Sequence, residues 1–163
     1  MSPSLILAAL LRLGGYSGDG GYTEHLRPVS EAIAEAAGTR EEAAALIAQG
    51  WHESRFARYV VEGRCLDGPV GARCDLGRDG RPRARGPWQV WHWCRPAWAL
   101  PEGSLESLRA EARCVVGWMR AAMRRCPGGS WEAAFSGMSG SSRCNVPWAA
   151  RRVATMAQVR RWL

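Results

Sequence analysis

Thr39-Arg40-Glu41-Glu42-Ala43-Ala44-Ala45-Leu46-Ile47-Ala48-Gln49-Gly50-Trp51-His52-Glu53-Ser54-Arg55-Phe56 is the stretch on which the fold of this chain turns. Thr39 with Glu42 three positions later makes a capping box, in which each side chain satisfies a backbone donor that the first helical turn leaves open. The apolar run Ala43 to Ile47 follows at once, so a helix is predicted from the Thr39 cap to about Glu53 or Ser54. Its last turn carries one carboxylate, Glu53, flanked in sequence by Trp51 and Phe56. A carboxyl desolvated against aromatic rings keeps its proton closer to neutrality and can serve as a general acid. The competing interpretation is a surface carboxylate at a helix end. The zinc-helix pattern His-Glu-x-x-His does not apply, because position 56 is Phe where the second His belongs.

Upstream, Pro28 to Ala37 predicts a supporting helix stopped by Gly38, and the Gly-rich stretch Gly14 to Gly21 predicts a flexible connector. Ser4 to Leu11 is the longest strongly apolar run. Arg12 ends it far short of the ~20 residues of a membrane helix. It is read as a small amphipathic helix packed on the domain; a secretory signal is the alternative, without a basic leader or a clear cleavage site. Downstream, Val60 to Val90 is rich in Gly, Pro, Asp and Arg and predicts a small irregular β region, with Asp79-Gly80 as a hairpin turn. Ser104-Leu105-Glu106-Ser107 opens a helix to about Arg125, followed by a short helix over 130–135 and a closing helix over 147–162. The expected fold class is α+β, mainly helical, with an N-terminal segment over 1–27 and one domain over 28–163.

The chain has 163 residues and a net charge of +7, a size that suits a single domain. All 22 basic residues are Arg, which excludes a P-loop lysine, a Schiff-base lysine and a Ser-Lys dyad. Cys65, Cys74, Cys94, Cys114, Cys126 and Cys144 contain no Cys-x-x-Cys pair and point to three disulfides in an oxidising compartment rather than to zinc. Cys65 and Cys74 bracket a polar loop that a bond would stiffen. Cys114 and Cys126 lie twelve positions apart on one helix, ~18 Å, too far to bond, so they pair with Cys94 and Cys144 in one of two ways. Cys94 with Cys114 and Cys126 with Cys144 is the favoured pairing. His25, His52 and His92 are too scattered to argue for a metal or a catalytic triad, and no cofactor motif is present.

Glu53-Ser54-Arg55-Phe56 resembles the Glu-Ser-x-Phe signature of the soluble lytic transglycosylase and goose-type lysozyme branch of the lysozyme superfamily. Arg85-Gly86-Pro87-Trp88-Gln89-Val90 is similar to that family's Gly-Leu-Met-Gln block, with Gly86 and Gln89 matching. Ala133-Ala134-Phe135-Ser136-Gly137 is similar to its Ala-Tyr-Asn-x-Gly block, with Phe135 for Tyr and Ser136 for Asn. The three blocks arrive in family order and span residues 40 to 145. The resemblance implies a lysozyme-like fold and cleavage of the β-1,4 bond between N-acetylmuramic acid and N-acetylglucosamine in peptidoglycan strands. It implies Glu53 as the catalytic acid and base, and Ser54, Phe56, Gly86, Trp88, Gln89, Phe135 and Ser136 as substrate-binding residues. A transglycosylase needs no second carboxylate. An inverting lysozyme does, with Asp67, Asp75 and Asp79 as the candidates by position.

Trp88, Trp91, Trp93 and Trp98 crowd the second block, where one or two are expected to line a sugar cleft and the rest to fill the core. Arg83, Arg85, Arg151, Arg152, Arg160 and Arg161 add positive charge suited to an anionic envelope polymer or to a solvated helix face. Nucleic acid is the weakest partner class, resting on charge alone without a helix-turn-helix, ribonucleoprotein or zinc-finger motif. The alternative to an enzyme is a disulfide-bonded basic glycan-binding module on the same scaffold without catalysis. Either would act outside the cytoplasm, secreted, periplasmic or phage-associated, and nothing demands more than a monomer.

Overall fold

The structure, a computed structural model, describes residues 1–16, 20–67, 76, 78, 82–138 and 143–163. Among these, eight α-helices enclose one core and a two-stranded antiparallel sheet lies to one side, which makes the chain mainly helical with a small β element. The centre is α3 (Arg40–Ser54). Every residue from Ala43 to Gly50 is buried, as expected of a helix that is apolar on all faces. Thr39 Oγ1 accepts from the Glu42 N–H at 3.1 Å, and Glu42 Oε2 reaches back to the Gly38 N–H at 2.7 Å. The capping box is therefore present, with its return bond one residue earlier than the standard form.

Around α3 stand α2 (Gly20–Ala36), α6 (Leu105–Arg125) and α8 (Ala149–Arg160). α1 (Pro3–Gly14) packs on α2, and α7 (Trp131–Met138) bridges α6 and α8. Ser104 caps α6 as expected, its hydroxyl accepting from the Ser107 N–H at 3.1 Å. α1 contributes Ile6, Ala9 and Leu10 to the core, so this helix shares the core of the rest.

Two expectations for this segment are corrected. The helix predicted to start at Pro28 begins at Gly20 and runs through Pro28. Leu26, Val29 and Ile33 lie on one buried face, and their burial offsets the roughly 3 kcal/mol of an internal proline. The Gly-rich stretch is not a connector over its described part: Gly15 ends α1 in the left-handed region (φ 71°), and Gly20 and Gly21 already belong to α2. Residues 17–19 lie outside the described set.

Among its described residues, the expected β region over Val60 to Val90 takes in the end of α4 (Arg58–Val61), a 3-10 turn over Cys65–Asp67, strand β1 (Ala84–Arg85) and the start of strand β2 (Val90–Trp91), the two strands paired as Ala84 with Trp91 and Arg85 with Val90. An antiparallel bridge joins Leu76 to Pro82 across the expected Asp79-Gly80 turn, whose own residues lie outside the described set. α5 (Arg95–Trp98), which the sequence pattern did not announce, follows β2.

The favoured disulfide pairing holds. Cys94–Cys114 ties the start of α5 to the middle of α6, and Cys126–Cys144 ties the end of α6 to the segment before α8. Cys65 is also disulfide-bonded, while its expected partner Cys74 lies outside the described residues. No helix among the described residues is long and apolar enough to cross a membrane.

Candidate active site

Glu53 sits in the last turn of α3, one residue before the helix ends, with its side chain 28% exposed. Gln49, one turn earlier on the same helix face, donates its Nε2 to Glu53 Oε1 at 3.0 Å. Arg152, on α8, donates Nη1 to the same oxygen at 2.7 Å and also bonds the Gln49 amide oxygen. The Arg152 guanidinium lies over the Trp148 ring, 4.4 Å from its centroid, which fixes it from the far side. One residue along, His52 Nε2 meets Thr155 Oγ1 at 2.9 Å, so α3 and α8 are cross-linked on both sides of the carboxylate. Burial, then the neighbouring Arg152, Arg55 and Arg151, push the His52 pKa down.

This surrounding differs from the expected aromatic wall. Trp51 is taken up by the Arg55 guanidinium, 4.5 Å from its ring centroid. Phe56 turns back beneath the helix, where a Cβ on Gly50 would lie 2.4 Å from its ring, so the helix must be bare there. The immediate partners of Glu53 are thus a buried amide and a cation, neither of which the local sequence named. Gln49 is legible in principle, since i and i+4 share a helix face; the sequence offers Arg152 only as a cation on a helix face.

The turn after the helix is held by unusual backbone. Arg55 and Phe56 both adopt left-handed conformations, with φ of 56° and 52°. Ser54 Oγ organises them: it accepts from the Phe56 N–H at 3.0 Å and donates to the Pro87 carbonyl at 2.8 Å. The bond to Pro87 joins the first sequence block to the second. Trp88 then inserts under α3 and donates Nε1 to the Leu46 carbonyl at 2.9 Å. Gln89, at φ 49°, closes the turn by donating Nε2 to the Gly86 carbonyl.

Below this turn lies a polar cluster that the sequence did not announce. Arg85, 6% exposed, donates Nη2 to the Ala97 and Leu100 carbonyls and to Ser107 Oγ at 2.8–2.9 Å. Ser107 in turn donates to Glu111 Oε1 at 3.1 Å. Glu111 is fully buried and its other oxygen has no partner among the described residues; desolvation pushes its pKa up to about 8. Glu102, whose carboxylate accepts from the Gly86 N–H at 3.3 Å, is also raised by desolvation. A Cβ on Gly86 would stand 1.8 Å from Glu111 Oε2, at a φ of 66° that favours glycine in any case.

The expected site residues therefore fall into two groups. Glu53 and Gln89 reach the surface. Ser54, Phe56, Gly86, Trp88, Phe135 and Ser136 are buried, at 0% for Phe135 and Ser136, and act on the site through packing and backbone bonds. Ser136 Oγ accepts from the Val146 N–H at 3.1 Å, which docks the segment before α8 and hence the helix bearing Arg152. Of the tryptophans, Trp91 is exposed, Trp88 is buried, and Trp93 stacks on Trp118 at 4.9 Å. Arg85 is internal rather than a surface cation, whereas Arg83, Arg151, Arg160 and Arg161 are exposed. The side chain of Asp67 and all of Asp75 and Asp79 lie outside the described residues. No group of three metal-ligating side chains occurs among the described residues. No family model, curated protein or solved structure matches the chain.

Proposed function

We propose that this chain is a peptidoglycan-cleaving glycosidase of lysozyme-like fold, acting on the bond between N-acetylmuramic acid and N-acetylglucosamine through Glu53 as the single acid and base. The observation that carries this proposal is the presentation of Glu53: a partly exposed carboxylate at the end of a helix whose middle, Ala43 to Gly50, is buried, held by Gln49 and Arg152. A catalytic group must be held to within a fraction of an ångström, and two converging donors do that. The Ser54–Pro87 bond supports it further, because it ties the three sequence blocks' first two members into one rigid corner.

In the transglycosylase route the Glu53 carboxyl gives its proton to the leaving glycosidic oxygen. The resulting carboxylate then takes the proton of the muramoyl 6-hydroxyl as that oxygen bonds to the anomeric carbon, which yields a 1,6-anhydro product. The disulfides are in keeping with an extracytoplasmic, secreted, periplasmic or phage-associated setting.

The ion pair of Glu53 with Arg152 favours one other proposal, a glycan-binding module without catalysis, in which Arg152 keeps Glu53 permanently engaged. Mass spectrometry of muropeptides released from purified peptidoglycan by the oxidised protein and by Glu53→Gln separates them. Products one water lighter than hydrolysed ones, absent with Glu53→Gln, are expected. Reducing-end products would shift the assignment to a lysozyme. Binding of the glycan without release of any product by the wild type would leave the module.

A further inference from the structure

We propose that the pocket between α2 and α4, lined by Gly21, Tyr22, His25 and Arg58, binds a single sugar ring that donates one hydroxyl to His25 Nδ1. His25 is 6% exposed, and its Nε2 lies 2.8 Å from the Phe56 carbonyl oxygen. A carbonyl only accepts, so Nε2 carries the proton. Burial holds the ring pKa below its ordinary value, so the imidazole is neutral and Nδ1 is a bare acceptor. That acceptor is buried and has no partner among the described residues. Leaving it so costs about 1–3 kcal/mol, which a donor from outside the chain recovers.

The remaining walls narrow the class of donor. The pocket holds about 230 Å³, below the roughly 300–1,000 Å³ of sites for larger ligands, and so suits one ring rather than a chain. Tyr22 is held in place by stacking on Tyr16, with ring centroids 3.8 Å apart and planes within 5°, and offers a fixed aromatic wall. Arg58, which lines the pocket, pairs through Nε with Glu62 Oε1 at 2.7 Å, and its guanidinium carries N–H donors beyond that one. The ligand must thus give a hydrogen to Nδ1, accept one from Arg58 and present an apolar surface to Tyr22. A pyranose does all three; a carboxylate cannot donate to Nδ1, a phosphate presents no apolar surface to Tyr22, and a hydrocarbon neither gives nor accepts a hydrogen bond. Because Phe56 is three residues from Glu53, the same imidazole faces the pocket and clamps the end of α3. The assignment does not rest on catalysis by Glu53.

The test is a long-range proton–nitrogen NMR titration of the oxidised, full-length protein with N-acetylglucosamine and, separately, glucose, read at the His25 ring nitrogens. A saturable shift of Nδ1 with a Kd on the order of 1–10 mM is expected for at least one sugar. It should weaken at least about tenfold in Gly21→Leu, which fills the pocket from α2 while sparing His25. Arg58→Gln, on the exposed face of α4, gives the same answer should Gly21→Leu disturb the helix. A non-saturable response up to about 100 mM would mean that water alone satisfies Nδ1, and would overturn the site. So would a protonated Nδ1 in the free protein, or a shift that survives both substitutions. Since the readout is a ring nitrogen and not turnover, its failure is distinct from failure of the glycosidase assignment.

Discussion

Arg152 Nη1 donates to Glu53 Oε1 at 2.7 Å, joining α8 to the end of α3 across 99 positions of sequence. The same guanidinium holds the amide oxygen of Gln49, a residue 1% exposed. Arg152→Ala therefore strips the donor from a buried acceptor as well as from a carboxylate. The expected loss is about 1–3 kcal/mol in urea unfolding. In a cycle with Glu53→Gln the two losses should fall short of additivity by at least about 0.5 kcal/mol. Simple addition would mean that the pair carries no coupling.

Gly86→Ala should be severe. The new methyl would meet Glu111 Oε2 at 1.8 Å, on a residue whose φ of 66° already disfavours a side chain. Overpacking and backbone strain together predict a loss of roughly 2–4 kcal/mol by chemical denaturation. Shortening the opposing side chain in Gly86→Ala/Glu111→Ala should recover part of it. A fully additive pair would refute the steric explanation.

Glu111 sets a pH dependence of stability. Its folded-state pKa of about 8 lies above the ordinary 4.5, so between those values the folded protein holds a proton that the unfolded chain has released. Stability is then fully present below the unfolded value and falls as pH rises towards 8. Glu102, raised in the same direction, adds to the fall. His25 and His52 are lowered from 6.5, and their contribution rises with pH only below that value. The decline is thus cleanest from pH 6.5 to 8. Urea midpoints for the wild type should drop across this window, and Glu111→Gln, which cannot ionise, should flatten the drop. Parallel curves for the two proteins would show that Glu111 does not titrate there.

The Cys126–Cys144 bond closes a separation of 18 residues between α6 and the approach to α8. The Cys126→Ser/Cys144→Ser variant should lose about 3 kcal/mol through the added freedom of its unfolded chain. Because that approach also docks on Ser136 and leads to the helix carrying Arg152, the proposed glycosidase activity should fall along with the thermal midpoint. Unchanged stability in calorimetry would contradict this.

What the amino-acid sequence determined by itself is local or elementary in its geometry. Thr39 with Glu42 and Ser104 with Ser107 are capping signals whose bonds span three or four residues, and both helices start where those signals stand. Helix rise excluded a bond between Cys114 and Cys126, twelve positions apart along α6, but left two pairings with Cys94 and Cys144 open, and the tertiary structure decided between them. Glu53 at the end of the central helix was legible because its signals are local. Its surroundings were not. Arg152 reaches it from 99 residues away, and no periodicity encodes which of 22 arginines will face which carboxylate. Pro28 marked a helix start by local propensity, yet burial of Leu26 and Val29 on either side carried the helix through it. Phe135, Ser136 and Trp88 read as site residues by their place in sequence blocks, and only packing decided that they lie beneath the surface. The buried Arg85–Ser107–Glu111 cluster and the unpartnered His25 nitrogen arise from the meeting of distant segments. Desolvation acts there on whatever the fold encloses, and sequence spacing carries no measure of it.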